Sequence, residues 1–303
     1  MPSTLAHLGA QTFASRAWIR QCDLRWIALG LLAPDLPWIG VRLVRFAGMA
    51  PDPYDLRLFA VVQSSLVFSA LLCAAFAALS AVPARAFAVM AANATLHLGL
   101  DALEQKWGNG VILAAPVSWE VWSLAVLPSE SPVWLALGLL GLGVLIGAWR
   151  RPAELASHPR LTRRRLALAS AVAALWVTAP VAFLGAAQDA GAHAIAVLRE
   201  PAARPGKAVS LERIPLLVDA RGQTQVRTWA GELLAVEGVD PSLAPALVSL
   251  RGRFRDAETL DVEALHRHVR GVRDAASVLG LAGVALLLVR GVLTASPSSR
   301  PGD

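Results

Sequence analysis

The chain alternates between long apolar stretches and short polar connections. A helix that crosses the hydrocarbon core of a bilayer, about 30 Å thick, needs about 20 apolar residues. Five stretches of about this length carry few or no charged side chains: 58–81, 84–103, 132–149, 166–187 and 275–293. They are apolar on all sides and lack the two-residue alternation of membrane β-strands. With two less regular N-terminal segments, the pattern predicts an all-α polytopic membrane protein with about six to seven transmembrane helices.

The two N-terminal segments need separate interpretation. Residues 24–46 are apolar but are interrupted by Pro34-Asp35 and by Pro37. Proline breaks a helix, and broken helix at membrane depth is tolerated where protein buries it or where it lines a cavity. Residues 1–20 are semi-polar, which fits either a helix buried among others or one lying at the membrane interface.

Residues 188–274 differ in kind, because short β-favouring runs alternate there with Gly, Pro and Asp turn signals. Apolar residues on either side of Arg255-Asp256 predict a hairpin, with Val248, Leu250 and Phe254 opposite Leu260, Val262 and Leu265. We expect four to five strands in a small extramembrane OB-like barrel or sandwich. The predicted domains are a helical membrane domain over 1–187, this β-rich domain over 188–274, and a last helix with a short tail over 275–303.

Composition and charge support this assignment. Hydrophobic residues make up 55% of the 303 residues and charged residues 17%, with a mean hydropathy of +0.53. Soluble domains carry about 25% charged residues, so an ordinary soluble enzyme is excluded, as is a disordered chain. The two cysteines are too few for a disulfide framework.

The net charge of +6 is explained by membrane topology. Residues 150–165 hold six Arg against one Glu, and loops rich in Arg and Lys stay in the cytoplasm. This loop is therefore predicted to be cytoplasmic and 188–274 extracytoplasmic. Single-stranded nucleic acid needs a basic groove with interleaved aromatic residues, and 188–274 has only Trp229 and Phe254. We expect membrane lipid as a partner and no nucleic acid.

Four ionisable residues stand out in apolar surroundings: His7, Asp35, His97 and Asp101. Such residues are costly inside membrane segments and mark functional sites. His97 and Asp101 are four residues apart on one helix face, where an imidazole and a carboxylate can bind a divalent metal ion such as zinc. If residues 1–20 also span the membrane, with the N-terminus outside, counting spans from the cytoplasmic loop places all four at compatible depths, facing the extracytoplasmic side. We expect them to be metal ligands, although Asp35 or Asp101 could instead act as a general base.

Structural roles stay open for the same residues. Asp35 can cap the helix that restarts after Pro34. His97 and Asp101 can orient each other, or form an ion pair with Lys106 at the helix end.

Other polar residues have simpler interpretations. Asn93, one turn before His97, fits a polar contact between helices. His266 and His268 would lie on one side of a strand. We interpret them as surface histidines, although with Asp261 or Glu263 they could bind a metal.

Three segments among the first 125 residues carry a further set of motifs: MPSTLAHLG (1–9), LGLLAPDLPW (29–38) and LHLGLDALEQKWGNGVILAAPVSW (96–119). They contain an early His, a Pro-Asp, and a His-x-x-x-Asp followed by a Gly turn and a Pro. This region resembles the membrane-bound metal-dependent hydrolase family, a family of bacterial integral-membrane proteins. The resemblance implies hydrolytic activity, location in the bacterial cytoplasmic (inner) membrane, and a divalent metal held by His7, Asp35, His97 and Asp101.

The chain departs from the family pattern at two positions. Pro37 stands where the family often has a second Asp, and Ser64 stands where it has His. The loss of an imidazole would weaken or change a metal site, so Ser64 bears directly on activity.

Two functional hypotheses follow. The first is an integral-membrane hydrolase that acts on a lipid or lipid-linked substrate through metal-activated water. The alternative is a non-catalytic membrane protein whose 188–274 module binds an envelope protein partner. A transporter is less well supported, because the broken segment 24–46 has no counterpart in an inverted repeat.

Overall fold

The computed structural model describes residues 2–19, 22–49, 51–150, 160–269 and 271–293. The helices in these ranges are α1 (Thr4–Trp18), α2 (Leu24–Leu32), α3 (Leu36–Phe46), α4 (Pro53–Gln63), α5 (Leu66–Ala78), α6 (Pro83–Leu103), α7 (Pro132–Arg150), α8 (Arg163–Thr178), α9 (Leu184–Asp189), α10 (Ile195–Arg199) and α11 (Val272–Leu293). The strands are β1 (Ala208–Val218), β2 (Thr224–Arg227), β3 (Leu233–Glu237), β4 (Ala246–Phe254) and β5 (Thr259–Arg267). Most of the Arg-rich loop, residues 151–159, lies outside the described residues.

Among the described residues, four helical segments are long and apolar enough to cross a membrane: α6, α7, Arg163–Asp189 and α11. The number rises to six if each of two bent helix pairs forms one span. In α7, Arg163–Asp189 and α11, only 11% of the most apolar window is buried inside the protein. Large apolar side chains such as Leu139, which is 62% exposed, therefore point outward, as on a surface suited to lipid.

Helix α1 settles the question that its semi-polar sequence left open. It has 15 residues, which gives about 22 Å of helix, too short for a span. It packs against α7, α11, α2 and α6, and His7, Leu8 and Gln11 are buried there. The structure thus offers four to six candidate spans where the sequence predicted six to seven. Helix α1 is too short to be one, and the bent pairs α2–α3 and α4–α5 count only if each forms one span.

Both bent pairs are breaks in otherwise apolar stretches. α2 and α3 meet at 62° around Pro34-Asp35, as the prolines predict. α4 and α5 meet at 70° around Ser64-Ser65, so the prediction of one long helix over 58–81 is wrong. There the Ser64 hydroxyl donates to the carbonyl of Val61 and the Ser65 hydroxyl to that of Ala115. Serine hydroxyls compete with the helical hydrogen-bond ladder, and the segment around Ala115 supplies replacement partners.

Close glycine contacts set the position of α1 against α7. A Cβ added at Gly141 would overlap the carbonyl oxygen of Leu5, and one added at Gly9 would overlap that of Leu137. Helix backbones approach this closely only where the contact residues are small. His7 lies between Leu5 and Gly9, so this contact fixes its depth in the protein.

The β-rich domain is a closed barrel with the strand order β1-β2-β3-β5-β4. Its neighbouring strands are antiparallel except for β3 and β5, which are parallel. It is thus a barrel and not a sandwich, and it is compatible with an OB-like arrangement. The predicted hairpin is confirmed, since Phe254 pairs with Leu260 and Leu250 with Leu265. The strands begin only at Ala208, because α10 and short turns occupy the start of the predicted domain.

The barrel lies at the end of the helical domain where α7 and α11 begin. Glu130, just before α7, contacts His268 at the end of the barrel, and α11 starts four residues after His268. At the far ends of these helices the Arg290 side chain donates to the carbonyl of Trp149 at 2.7 Å. The two helices therefore run parallel to each other, away from the barrel and toward the Arg-rich loop.

The glycine contact can be tested by adding one methyl group. We expect Gly141→Ala to destabilise the protein by about 1–3 kcal/mol, the usual cost of overpacking, and to lower the melting temperature of the detergent-solubilised chain. The matched control is Gly143→Ala on the same helix, where the added Cβ meets no atom within 4 Å. Equal melting temperatures for the two variants would contradict the close contact.

Candidate metal centre

Three of the four predicted ligands form one group, and the fourth adjoins it. The ligand atoms of His7, His97 and Asp101 all lie within 4.8 Å of one another. Nε2 of His7 is 3.4 Å from Oδ1 of Asp101, and Nε2 of His97 is 3.8 Å from Oδ2 of Asp101. The two imidazole rings are stacked, with centroids 3.9 Å apart and planes 3° from parallel. Helices α1 and α6 thus bring together side chains 94 positions apart in the chain.

The separation of 3.4 Å between His7 and Asp101 is close to that between two ligands of one zinc ion, whereas the separation of 3.8 Å between His97 and Asp101 is longer. Ligand atoms about 2.0–2.1 Å from a tetrahedral zinc ion lie about 3.3–3.4 Å from each other. His7, His97 and Asp101 are at most 3% exposed. Their ring nitrogens, and Oδ1 of Asp101, are buried and make no hydrogen bond to any described residue. Because buried polar atoms are normally satisfied, this donor set is a candidate site for a divalent cation, which would require the two stacked rings to rotate so that both lone pairs point at one ion.

Asp35 adjoins this group at the break between α2 and α3. Its Oδ1 lies 3.5 Å from Nε2 of His97, and its side chain is 17% exposed. It occupies the N-cap position of α3, but its carboxylate makes no capping hydrogen bond. Capping therefore does not explain this residue, and its carboxylate faces the site.

Helix α6 presents one polar face to α1. Asn93, His97 and Asp101 follow one another at four-residue spacing, and all three are buried. The Asn93 amide donates to Ser15 of α1 at 3.0 Å and to the carbonyl of Val89 at 2.8 Å. Asn93 is thus the polar contact between helices that its spacing predicted, and it holds α1 against α6 beside the site.

Sequence reasoning missed Gln11 as a neighbour of the site. It lies one turn beyond His7 on the same face of α1, and it is fully buried. Its amide makes no hydrogen bond to a described residue. The four-residue spacing from His7 is the signal that could have found it.

A cavity of about 180 Å³ opens beside Asp101. Lys106 lines it with only 5% of its side chain exposed, and its Nζ is 3.7 Å from Oδ2 of Asp101. The ion pair considered from the sequence therefore lies at the cavity wall. Ser64 also lines the cavity, so the residue at the family's His position lies on the same side as Asp101.

Comparisons of the chain with protein-family models, curated proteins and solved structures find no match. The resemblance to the membrane-bound metal-dependent hydrolase family therefore rests on the motifs alone. Its functional implications are put forward below as proposals.

A second cluster joins the helical domain to the barrel. Glu130 accepts hydrogen bonds from Nε2 of His266 at 2.9 Å and from Nδ1 of His268 at 2.7 Å. Both histidines contact the same residue, but this acidic neighbour is Glu130 and not Asp261 or Glu263. His268 lies just beyond β5 and is buried, so its interpretation as a surface histidine is wrong. Glu130 is 136 residues away from His266, and no local pattern connects them.

The second cluster is satisfied without a metal. With its proton on Nδ1, His268 donates to Glu130 and accepts from the Ser249 hydroxyl, whose Oγ lies 2.7 Å from Nε2. Burial, opposed by the hydrogen bond to Glu130, keeps the pKa of His268 below its ordinary value. Burial would raise the pKa of Glu130, but the hydrogen bonds from His268 and His266 hold that pKa below its ordinary value.

We expect Glu130→Gln to weaken the junction between barrel and helices in a pH-dependent way. At pH 7 the loss of a charged hydrogen-bond acceptor should cost about 1–2 kcal/mol, seen as a lower melting temperature. A carboxylate with a lowered pKa in the folded state stabilises above its unfolded pKa of 4.5, and this stabilisation is lost as the pH falls through the folded value. The difference from the unaltered chain should therefore shrink at pH 3.5.

The control for this junction is Glu120→Gln, at an exposed position before α7. It should leave the melting temperature unchanged at both pH values. A Glu130→Gln effect that is equal at pH 7 and pH 3.5 would show that the carboxylate charge plays no part.

Proposed function

We propose that the protein is an integral-membrane metal-dependent hydrolase that acts on a lipid or lipid-linked substrate. The observation that supports this most directly is the group of His7, His97 and Asp101, whose buried ligand atoms lie within 4.8 Å of one another and lack hydrogen-bond partners among the described residues. Two imidazoles and a carboxylate form a donor set found in catalytic zinc sites.

The four residues take different roles in this proposal. His7, His97 and Asp101 hold the metal, and Asp35 adjoins them through His97. A bound divalent ion lowers the pKa of a water molecule to about 7 and polarises a phosphoryl or acyl oxygen. Asp35 lies outside the three-residue group and is partly exposed. Of the two carboxylates, Asp35 and Asp101, that of Asp35 is therefore the better placed to accept a proton as a general base. Asp101 is the better placed as a ligand.

The position of the site supports a lipid substrate. The three proposed ligands lie on α1 and α6, among helices whose outer faces are apolar. A lipid substrate has apolar surface to lie against on these outer faces, with its head group toward the cavity beside Asp101.

The barrel is better explained as part of this site than as a separate partner-binding module. Glu212 and Arg213 of β1 line the same cavity as Asp101. A module that worked alone would have no need to line a cavity together with a residue of the proposed metal group. This geometry favours the hydrolase over the non-catalytic alternative.

We also propose a location in the bacterial cytoplasmic membrane, with loop 150–165 in the cytoplasm and 188–274 outside. α7 starts beside the barrel and ends at Arg150, after 19 residues or about 28 Å of helix. The barrel and the Arg-rich loop are therefore separated by about the thickness of a bilayer core. The Arg bias sets the direction.

Metal content tests the proposal. We expect elemental analysis of the detergent-purified chain to find a divalent transition metal ion, and His97→Ala and Asp101→Asn each to contain one ion per chain fewer. Asp101→Asn changes the charge and keeps the size, and Asp189→Asn at the exposed end of α9 is its matched control. Unchanged metal content in folded His97→Ala and Asp101→Asn, checked by size-exclusion profile, would refute the metal centre.

A further inference from the structure

The cavity beside Asp101 has an unusual concentration of positive charge. Four cationic side chains line it: Arg57, Lys106, Arg213 and Arg273. Two carboxylates, those of Asp101 and Glu212, line it as well. With His193 neutral, this leaves a net charge of +2 in a space of about 180 Å³. A cavity of this size holds several water molecules or one small polar group.

The protein neutralises this positive charge only in part. Nη2 of Arg57 donates to Oδ1 of Asn109 at 3.5 Å, and its guanidinium lies 4.4 Å from the Trp229 ring centroid. The carboxylates of Asp274, Glu130 and Glu104 act on Arg213. Nε of Arg57, Nη2 of Arg213 and Nε of Arg273 are buried and make no hydrogen bond to any described residue. The ion pair of Arg213 with Asp274 spans 3.9 Å and involves a carboxylate that is 60% exposed. Guanidinium donors in a cavity are costly unless water or an anion satisfies them, so the cavity suits an anionic ligand.

The electrostatics of neighbouring groups agree with this picture. Burial, together with the charges of Arg57 and Lys106, lowers the pKa of His193 well below its ordinary value. Burial and the adjacent guanidinium of Arg273 lower the pKa of Arg213. Both shifts have the direction expected where positive charge accumulates out of water.

The backbone holds Arg213 in place at an energetic cost. Its φ is +53°, in the left-handed region that a long side chain rarely adopts. It lies in a bulge of β1 between Leu211 and Ile214, and its N–H donates to the Ser249 hydroxyl at 3.0 Å. Bulges and strained residues commonly re-aim a side chain into a functional site, and here the side chain enters the cavity.

An apolar groove of about 520 Å³ adjoins the cavity and shares Arg213 and Arg273 with it. Its walls include Leu5 of α1, Leu139 of α7 and Leu279 of α11. The groove and the cavity together form a mostly apolar section that ends at the guanidinium groups of Arg213 and Arg273, with the Glu130 carboxylate also on the groove wall. This combination matches an amphiphile with an anionic head.

We infer that the cavity and groove bind a phosphate-bearing lipid, with its phosphate on Arg213 and Arg273 beside Asp101 and its hydrocarbon chains between α7 and α11. This inference rests on the proposed function, for which it names the substrate class. A phosphate monoester carries a charge of about −1.5 to −2 at pH 7, which balances the net charge of the cavity. Guanidinium groups also match phosphate oxygens with paired hydrogen bonds.

Isothermal titration calorimetry on the chelator-treated full chain in non-ionic detergent tests the inference without the metal. The probes are dihexanoyl phosphatidic acid, inorganic phosphate and dihexanoylglycerol. We expect the phosphatidic acid to bind at least tenfold more tightly than either of the others, because it alone uses both the cations and the groove. Tighter or equal binding of inorganic phosphate would make the ligand a free phosphate, and equal binding of dihexanoylglycerol would remove the role of charge; either result overturns the inference.

Two arginine variants test the phosphate contacts. Arg213→Asn and Arg273→Gln should each weaken phosphatidic acid binding about tenfold, the usual effect of losing a charge-assisted hydrogen bond. Asn tolerates a positive φ, so Arg213→Asn should keep or raise the melting temperature while it loses affinity. Arg221→Gln in the exposed turn before β2 is the matched control and should bind normally. Normal binding by both cavity variants would overturn the phosphate site.

The groove is tested from α7. Gly138 lines the groove, and a Cβ added there meets only Ser3 Oγ, at 4.0 Å. Gly138→Leu should fill the groove and weaken phosphatidic acid binding at least tenfold, with inorganic phosphate binding unchanged. Gly143→Leu, on the same helix outside the groove, is its control. Unchanged phosphatidic acid binding by Gly138→Leu would refute the groove.

Metal content, measured on the same preparations, separates this inference from the proposed function. A chain that holds its metal but does not bind phosphatidic acid would overturn the lipid-phosphate site alone. A chain that binds phosphatidic acid but holds no metal would overturn the metal centre and leave the binding site standing.

Discussion

The burial of two imidazoles and a carboxylate among apolar helices is the constraint on which the rest of the structure depends. Polar atoms that leave water without gaining a partner cost several kcal/mol in a low-dielectric interior. In the helical domain this cost falls on one group of residues, His7, His97 and Asp101. Their ligand atoms lie within 4.8 Å of one another, and the ring nitrogens and Oδ1 of Asp101 make no hydrogen bond to a described residue. A metal ion offsets such a cost directly, since deprotonated ligands and a cation stabilise each other when water is excluded.

Several local features bring these side chains together. Glycines let α1 approach α7 until the backbones touch. The Ser15–Asn93 hydrogen bonds tie α1 to α6. The break at Pro34-Asp35 turns a carboxylate toward His97. Glycine, proline and buried polar side chains are all unfavourable inside an ordinary helix. Such departures from local preference are expected where a site is assembled.

The barrel and the helical domain share the functional region. The barrel inserts Arg213 into the cavity beside Asp101, and Glu130 anchors His266 and His268 from the helical side. The proposed chemistry and the proposed binding of a phosphate-bearing lipid therefore both depend on how the barrel packs against the helical domain. A free-standing interaction module would need neither contact.

At positions 64 and 37 the chain departs from the pattern of the family that it resembles. The other residues of that pattern, His7, Asp35, His97 and Asp101, are present. Ser64, the C-cap of α4, lines the cavity, and it stands where the resemblance implies an imidazole. Pro37 begins α3 together with Leu36, so the second acidic residue of the family is replaced by one that reinforces the helix break. The remaining donor set is two imidazoles with Asp101, and Asp35 beside them.

The sequence by itself determined the features that depend on local composition. Charge-poor stretches of helical length, the break at Pro34-Asp35, the β4–β5 hairpin and the i, i+4 pair of His97 and Asp101 all follow from side-chain periodicity and turn chemistry, which act over a few residues. The short helix α1 was ambiguous, because a semi-polar pattern is equally compatible with an interfacial position.

Only the tertiary structure decided which distant residues meet. The break at Ser64-Ser65 needs acceptors from the segment around Ala115, the partner of His266 is Glu130, and Arg213 enters a cavity formed by helices far away in the chain. Contacts across such separations depend on how whole elements pack, and packing is set by shape and burial summed over many residues. No pattern within a short window of sequence contains that information.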